Sequence, residues 1–538
     1  MKDFFRQSMS WLHTWVGLLL GWVLYFMFIT GTAGYVDTEI DRWMQPELPA
    51  ASTGGDLRDL ARVGETALKT LAPAGAEGWW IDFPINRNMP NLTVWWKLPD
   101  QEWQEQAIDA QTGAPVKARE TAGGQTLYRM HWQLHYLPRV AGEWIVGVAT
   151  MFMFVALITG VIVHKKIFAD FFTFRPGKGQ RSWLDAHNVV SVVSLPFQFM
   201  ITWSGLIFLM FTYMPLIIAA WYGTGEAGRK AFEDEVFRPP AVTERSGQPA
   251  PMVALDTVGA QAQARWGGAA IASLDIQHPN DAHARIVVNG DYAATPTRHA
   301  ATLVFDGVTG ELLAEQSAQQ SGPRGFRDLM LGLHEGLFAG PALRALYVLS
   351  GLLGASMIAT GLVLWSVKRR QKIEKSRAAP HAGLRLVDKL NVATLIGLPV
   401  AVAAYFWANR LLPTDMSGRA AWEVHVLFLT WLALLLHASL RPTQRAWIEQ
   451  SGLAALAFGL LPLLNALTTD RHLAASLPAG DWVFAGFDLS MLALGAVFAS
   501  LTRTLLQRRW RSDVPALVQR PTKANRGGET AESVEATS

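Results

Sequence analysis

Long apolar stretches separated by short basic segments dominate the pattern of this 538-residue chain. A helix needs roughly 20 apolar residues to cross about 30 Å of hydrocarbon, and eight stretches satisfy that requirement. They cover residues 12–34, 143–164, 188–213, 342–366, 390–411, 422–440, 450–467 and 484–502. The pattern therefore predicts a polytopic α-helical membrane protein with about eight transmembrane helices.

Lysine and arginine cluster after every second apolar stretch, which sets the expected orientation. Lys165 and Lys166 follow the second stretch, Lys368 and Arg369 follow the fourth, and arginines follow the sixth and eighth. Basic loops remain in the cytoplasm, so both termini are expected there and the long segments 35–140 and 214–335 outside. The first apolar run is longer than that of a signal peptide, so we expect it to remain as an anchor.

The first 367 residues look like two copies of one unit, each containing a span, an external segment and a returning span. The first and third spans contain Ile29-Thr30-Gly31 and Trp203-Ser204-Gly205, and the returning spans end in Ile158-Thr159-Gly160 and Ala359-Thr360-Gly361. Each external segment begins with a helical pattern followed by alternating strand-like runs. Asp109 and Asp306 each begin a hairpin turn that ends in glycine, and we interpret them as turn residues.

The fold class predicted is thus an eight-helix membrane protein whose duplicated four-helix core carries two inserted external α+β domains. The last four spans have short loops and form a different unit, followed by a polar tail. The divisions are the first span 1–34, an external domain 35–140, the second span 141–165, a cytoplasmic loop 166–186, the third span 187–213, a second external domain 214–335, the fourth span 336–367, a loop 368–389, the C-terminal unit 390–503 and a partly disordered tail 504–538.

The amino-acid composition limits the partners and cofactors that the chain could bind. The net charge of +3 is too small to indicate a nucleic-acid partner, and the basic residues lie in short loops. The chain has no cysteine, which excludes disulfides, iron–sulfur clusters and thioether-linked haem. Histidine is left as the leading metal ligand, and ionisable residues at a membrane boundary usually have a function.

Six histidines lie at the ends of the apolar segments, in two groups. His13, His187 and His164 lie at the basic ends, whereas His135, His334 and His131 lie at the opposite ends. The duplication aligns His13 with His187, and Leu134-His135 with Leu333-His334, which makes these four histidines the primary ligands. Two layers of imidazole indicate two metal centres and a route for electrons across the bilayer. His164 and His131 are secondary candidates, and His131 with His135 also has the spacing of a zinc or iron site on a helix.

With these histidines placed, the first 367 residues resemble the PepSY-associated transmembrane family. The stretch from His164-Lys165-Lys166 through Phe174-Arg175-Pro176, with Arg181-Ser182-Trp183-Leu184-Asp185-Ala186-His187-Asn188, is similar to its larger iron-regulated members. The resemblance implies a bacterial inner-membrane protein with periplasmic PepSY domains and two b-type haems. It implies that His13, His187, His135 and His334 hold the haem iron, with His164 and His131 as substitutes.

The function expected from that resemblance is that of a ferric-chelate (siderophore-iron) reductase, which moves electrons from the cytoplasm to the periplasm. Its substrate would be a ferric siderophore or another ferric chelate, and haem would supply the redox chemistry. The electron donor is open between a membrane quinol and a cytoplasmic reductase. A siderophore or solute transporter and a non-catalytic sensor or binding protein remain as alternatives.

Overall fold

Eight helical segments long and apolar enough to cross a membrane make up most of the chain. The computed structural model describes residues 2–49, 55–164, 171–213, 215–237, 244–318, 322–377 and 379–513. The candidate spans are Phe4–Met44, Arg139–Val163, Gln180–Phe208, Pro341–Ser376, Ala382–Leu411, Arg419–Leu440, Thr443–Thr468 and Trp482–Arg508. Each of them overlaps one predicted apolar stretch, so the prediction of a multi-pass helical membrane protein is confirmed.

The helices are numbered in chain order. They are α1 Lys2–Ala33, α2 Asp37–Met44, α3 Leu57–Leu71, α4 Gly123–Gln133, α5 Arg139–Val163, α6 Gln180–Phe208, α7 Met210–Tyr213, α8 Pro215–Tyr222, α9 Gly225–Phe237, α10 Leu255–Arg265, α11 Gly322–Glu335, α12 Pro341–Ser376, α13 Ala382–Leu395, α14 Gly397–Leu411, α15 Arg419–Leu440, α16 Thr443–Gly459, α17 Leu461–Thr468, α18 Leu473–Ala479 and α19 Trp482–Asp513.

Four long helices from the duplicated part form a closed ring. Helix α1 packs against α5 and α12, and α6 packs against the same two helices from the other side. Small residues allow this close approach, as is usual for helices in lipid. A Cβ added at Gly351 would lie 2.3 Å from Oγ1 of Thr32, and one added at Gly354 would lie 2.3 Å from the Phe28 ring. The ring therefore depends on glycine at these two crossings.

The two segments between these helices share one seven-stranded antiparallel sheet in the order β3-β2-β1-β4-β5-β6-β7. The strands are β1 Gly78–Asp82, β2 Leu92–Lys97, β3 Gln104–Ile108, β4 Ile271–Gln277, β5 Arg285–Gly290, β6 Thr302–Asp306 and β7 Leu312–Gln316. Strand β1 pairs with β4, with Trp80 opposite Asp275. The two expected domains therefore do not stand apart, because each uses the other to cover an open strand edge.

A single hydrophobic core lies between this sheet and helices α3 and α10. It contains Leu68 and Ile81 from the first segment, with Val258, Val288 and Phe305 from the second. Each segment contributes only one short helix and three or four strands to this core. Either segment by itself would therefore bury little apolar surface. Joining the halves makes one larger core, since the fraction of surface buried rises with domain size.

The two hairpin turns have the geometry that their aspartates predict. Asp109 Oδ1 accepts the backbone N–H groups of Gln111 and Thr112, and Asp306 Oδ1 accepts those of Val308 and Thr309. These bonds are typical of aspartate in tight turns. The interpretation of both residues as turn formers is confirmed.

The C-terminal unit packs against α1 of the core. The hydroxyl of Tyr25 donates a hydrogen bond to the carbonyl of Leu395 at 3.0 Å, and Trp22 Nε1 donates to Asn391 Oδ1 at 3.0 Å. The same unit also reaches the segment that precedes α4, through Glu423, as described below. The C-terminal helices are therefore part of the structure that surrounds the core.

Candidate functional sites at the two ends of the core

Two histidines face each other near the end of the core where the chain begins. His13 lies in the first half of α1, and His187 lies in the first third of α6. Their ring centroids are 6.4 Å apart. We call these two residues the terminus-side pair, and the structure brings them together as the sequence duplication predicts.

The hydrogen bonds of the terminus-side pair repeat almost atom for atom. His13 Nδ1 lies 2.9 Å from the carbonyl of Ala156 on α5, and His187 Nδ1 lies 3.0 Å from the carbonyl of Met357 on α12. A threonine hydroxyl, from Thr159 or Thr360, is near the same nitrogen at 3.3 and 3.2 Å. A carbonyl accepts only from a protonated Nδ1, so each ring keeps the lone pair of Nε2 for another partner.

Glycine lies directly against each of these rings. A Cβ added at Gly160 would lie 3.2 Å from Cε1 of His13, and one added at Gly361 would lie 3.2 Å from Cε1 of His187. Beside the pair, a Cβ added at Gly17, one helical turn after His13, meets no atom within 4 Å. The rings are thus held close on one side, with open space next to them on α1.

A second pair lies at the other end of the core, below the sheet. His131 is in the last turn of α4, and His334 is in the last turn of α11. Their ring centroids are also 6.4 Å apart, with an interplanar angle of 19°. We call them the sheet-side pair. Tyr128 and Phe208 lie against the two rings, with centroids 5.1 Å from His131 and His334 respectively.

Nδ1 is engaged in the sheet-side pair as well. His131 Nδ1 contacts the carbonyl of Tyr128, and His334 Nδ1 lies 2.9 Å from the hydroxyl of Ser204. Burial lowers the pKa of His131 to about 4 and that of His334 to about 3. Both rings are therefore neutral at pH 7 and can use Nε2 as a ligand.

Glycines of α1 and α6 support the sheet-side pair from below. Gly31 would place a Cβ 3.4 Å from the His131 ring, and Gly205 would place one 3.1 Å from Cε1 of His334. Gly31 follows His13 by 18 positions, and Gly205 follows His187 by the same number. At 1.5 Å per residue the two pairs are about 27 Å apart along the helix axis.

His135 is not opposite His334, which corrects the predicted pairing. Helix α4 ends at Gln133, and Leu134 and Tyr136 adopt positive φ values of 57° and 66°. The chain turns away there, and the exposed ring of His135 packs against Tyr136 and Phe428. His131 takes the predicted place because residues four apart on a helix point the same way, so the alignment was wrong by one turn.

The remaining candidates lie outside the two pairs. His164 caps the end of α5, and its Nε2 is 3.3 Å from Nδ2 of Asn188, next to the terminus-side pair. His425 contacts the hydroxyl of Tyr136, and His437 bonds to Glu449 at 2.9 Å. No facing histidine pair occurs among the described residues of the C-terminal unit.

The spacing of both pairs suits a metal ion between the rings. A metal–imidazole bond is about 2 Å long, so two bonds plus the ring radii of roughly 1 Å span about 6 Å. Among the described residues, no group of three or more histidine, aspartate or glutamate side chains could hold a metal. A bare zinc ion needs three or four protein ligands, whereas haem iron needs only two. The pairs therefore fit haem better than the zinc or iron site considered for His131 and His135.

Sequence reasoning missed the groups that orient the rings. These are the carbonyls of Ala156 and Met357 and the side chains of Thr159, Thr360 and Ser204. A signal was present, since each of the four glycines that support a histidine follows a threonine or serine: Thr30-Gly31, Thr159-Gly160, Ser204-Gly205 and Thr360-Gly361. These dipeptides mark the duplication, and the structure gives them a physical role.

The comparisons place the chain in a family whose model spans both histidine pairs. The family model described as the PepSY-associated TM region matches residues 10–368, which include all four histidines. An uncharacterized protein of Pseudomonas aeruginosa is 27% identical over 370 residues, covering 66% of this chain and 89% of that relative. The C-terminal unit lies beyond the family match.

Proposed function

The chain belongs to the PepSY-associated transmembrane family, and from that premise we propose that it is a di-haem b-type oxidoreductase that reduces a ferric chelate. His13 and His187 would hold one haem, and His131 and His334 would hold the other. When bound, haem supplies reversible one-electron redox chemistry. The observation that carries the proposal is the repeated pair of imidazoles, each with centroids 6.4 Å apart, at two levels of one helical core.

The residues around each pair have defined tasks in this proposal. The carbonyls of Ala156 and Met357 hold Nδ1 protonated in the terminus-side pair, which would leave the basic Nε2 of each ring to bind haem iron. Ser204 does the same for His334. The four glycines leave the rings room to adopt this orientation. Hydrogen bonds to ligand histidines also tune redox potential, so these groups would set the potential of each centre.

The proposed direction is from the cytoplasm to the periplasm of a bacterial inner membrane. Basic residues such as Arg175, Arg181, Lys368 and Arg370 lie on the side of the terminus-side pair, which supports a cytoplasmic location for that side. The sheet would then lie in the periplasm, beside the pair from which electrons leave. Reduction weakens the hold of iron on hard oxygen ligands, so the chelate would release its metal.

The decisive experiment measures haem in the purified protein. Protein from haem-replete cells should contain close to two haems per chain and show a reduced-minus-oxidised spectrum of b-type haem. Substituting His13 or His187 should remove one haem, and substituting His131 or His334 should remove the other. A colourless wild-type protein would reject the proposal.

A second measurement tests the reaction. The dithionite-reduced protein, freed of excess reductant, should be reoxidised by a ferric chelate and should yield Fe²⁺ that ferrozine traps. Reoxidation should be lost in His131→Ala and His334→Ala. Equal reoxidation by wild type and both variants would show that the sheet-side pair does not deliver electrons. A wild-type protein that releases no Fe²⁺ would instead favour a sensor or a transporter.

A further inference from the structure

A cleft of about 560 Å³ lies between α4 and α15, on the face of α4 opposite the sheet-side pair. Its walls include Arg129, Gln133, His135 and Tyr136 from the core, and Ala420 and Ala421 from the C-terminal unit. The volume is in the range of small-molecule sites. Because α15 lies beyond the family match, this cleft exists only through the C-terminal unit.

The cleft has basic and donor groups but lacks acidic ones. None of its described lining residues is aspartate or glutamate. Within the described part of the chain, the side chains of Arg129, Gln133 and His135 form no hydrogen bond or ion pair. The carboxylate of the neighbouring Glu423 is engaged elsewhere. It forms an ion pair with Arg419 at 2.6 Å and accepts hydrogen bonds from the Thr121 hydroxyl and the Ala122 backbone N–H. An anionic, oxygen-rich ligand would find donors here without a competing carboxylate.

Aromatic groups lie beside Tyr136 and His135, which line the cleft. The ring of Tyr136 stacks near His425, with centroids 5.8 Å apart, and is 57% exposed. His135 and Phe428 lie beside it, with centroids 5.8 Å apart, and Trp422 lies 5.4 Å from His425. Exposed rings next to a cation are suited to flat, unsaturated ligands. The combination favours a ligand that has both negative charge and aromatic or conjugated groups.

The cleft is also close to the sheet-side pair. Met130 lines it, and the next residue, His131, belongs to the pair. A ligand in the cleft would be separated from the imidazoles by the thickness of α4, which is about 10 Å. That separation is short enough for electrons to leave the sheet-side centre for a bound acceptor.

We propose that this cleft binds an anionic ferric chelate with oxygen ligands, of the catecholate or phenolate class, and that the C-terminal unit therefore supplies half of the substrate site. The proposal rests on the proposed function for the identity of the acceptor, but binding itself can be tested without electron transfer. Arg129 provides the charge, Gln133 and His135 provide hydrogen bonds, and the small Ala420 and Ala421 leave the space.

The test uses gallium(III) complexes, which have the shape of ferric chelates but are not reduced. Isothermal titration calorimetry of the full-length protein in neutral-lipid nanodiscs compares anionic gallium tris-catecholate with the cationic gallium complex of desferrioxamine B. The anionic complex should bind more tightly. Arg129→Gln should weaken its binding at least about tenfold, because a charge-assisted contact is lost. Arg58→Gln, which removes an exposed arginine of α3, should bind like the wild type.

A second variant blocks the site without changing charge. Ala421 is exposed, so Ala421→Trp should fold and fill the cleft, and the anionic complex should no longer bind. Equal affinity in Arg129→Gln, Ala421→Trp and wild type would overturn the proposal, as would tighter binding of the cationic complex. Loss of binding in nanodiscs that contain phosphatidylglycerol would assign the cleft to a lipid headgroup and overturn it too.

The same preparations separate this proposal from the proposed function. Two haems per chain with no binding of either gallium complex would reject the cleft and leave the oxidoreductase intact. Selective binding of the anionic complex by a protein without haem would reject the oxidoreductase and retain the anion site.

Discussion

His131 and His334 lie face to face at the sheet side of the core, with ring centroids 6.4 Å apart, although the sequence repeat aligns His334 with His135. His131 and His135 are four positions apart in the chain, about one helical turn. Helix α4 ends at Gln133, between the two residues. His131 remains on the helix and is half-buried among its neighbours, whereas His135 lies exposed at the surface. Substitutions can distinguish them directly.

His131→Ala should remove one of the two proposed haems, whereas His135→Ala should keep both, because only His131 faces His334. The haem content of each purified variant, measured as the pyridine haemochrome per chain, tests this difference. His135→Ala also serves as the matched control for loss of an imidazole from the same segment. Loss of haem in His135→Ala with full haem in His131→Ala would contradict the pairing.

The glycines beside the rings should be intolerant of side chains. Gly205→Ala would place a Cβ 3.1 Å from His334, and Gly361→Ala one 3.2 Å from His187, closer than ordinary contact. Each ring would have to move, so we expect a changed low-spin haem signal in electron paramagnetic resonance at one centre in each variant. Gly486→Ala is the control, because a Cβ there meets no atom within 4 Å. A signal altered equally in all three would refute this explanation.

Ser204→Ala should raise the midpoint potential of the haem proposed at the sheet-side pair. The Ser204 hydroxyl, 2.9 Å from His334 Nδ1, accepts its proton and donates its own to the carbonyl of Met200. Such a bond makes the imidazole a stronger donor and stabilises ferric iron. Its removal should shift the potential upward by about 20–60 mV in a spectroelectrochemical titration. Ser204→Thr, which keeps the hydroxyl, should stay near the wild-type value, and an unchanged Ser204→Ala would show that the bond has no electronic effect.

Removing one partner of the ion pair between Arg419 and Glu423 should destabilise the protein more than removing both. Both side chains are fully buried and 2.6 Å apart, and Glu423 also holds Thr121 and Ala122 just before α4. Glu423→Ala leaves a buried, unpaired guanidinium, which costs about 3–5 kcal/mol. We expect a lower unfolding temperature in detergent and preferential loss of the haem proposed at the sheet-side pair, since α4 carries His131.

The double variant Arg419→Met, Glu423→Leu provides the control for this prediction. It removes both charges, so it should recover most of the lost stability. A double variant as unstable as the sum of two single variants would show that the two side chains do not act together.

The sheet should be less stable at neutral pH than in mild acid because of Asp275. Burial raises the pKa of this carboxyl to about 6, above its value near 3.9 in an unfolded chain. The folded state therefore binds the proton more tightly, and its stability falls as the pH rises through about 6. Asp275→Asn should gain about 1–2 kcal/mol over wild type at pH 7.5 and almost nothing at pH 4.

Unfolding temperatures of the full-length protein in detergent at both pH values test this effect. Asp59→Asn, an exposed residue of α3, is the control and should show little pH-dependent gain. A gain from Asp275→Asn that is the same at both pH values would exclude ionisation as its cause.

The sequence by itself determined the eight spans, the duplicated core and the terminus-side pair, because these depend on local composition and period. Apolar length identifies a membrane helix whatever its neighbours are. His13 and His187 lie well inside long helices, so a repeat in the sequence remains a repeat in space. The turn roles of Asp109 and Asp306 were also predictable, since the bonds involved span only two or three residues.

The tertiary structure alone decided the features that depend on where a short element ends or which distant strand it meets. His131 and His135 are one helical turn apart, so the sequence repeat can be aligned with either of them. Because α4 ends at Gln133, only His131 lies on the helix and faces His334. The pairing of β1 with β4 joined two segments that the sequence presents separately, since edge pairing depends on the open edge of a partner. The contacts of α15 with the residues that flank α4 likewise created a cleft between parts of the chain about 300 residues apart.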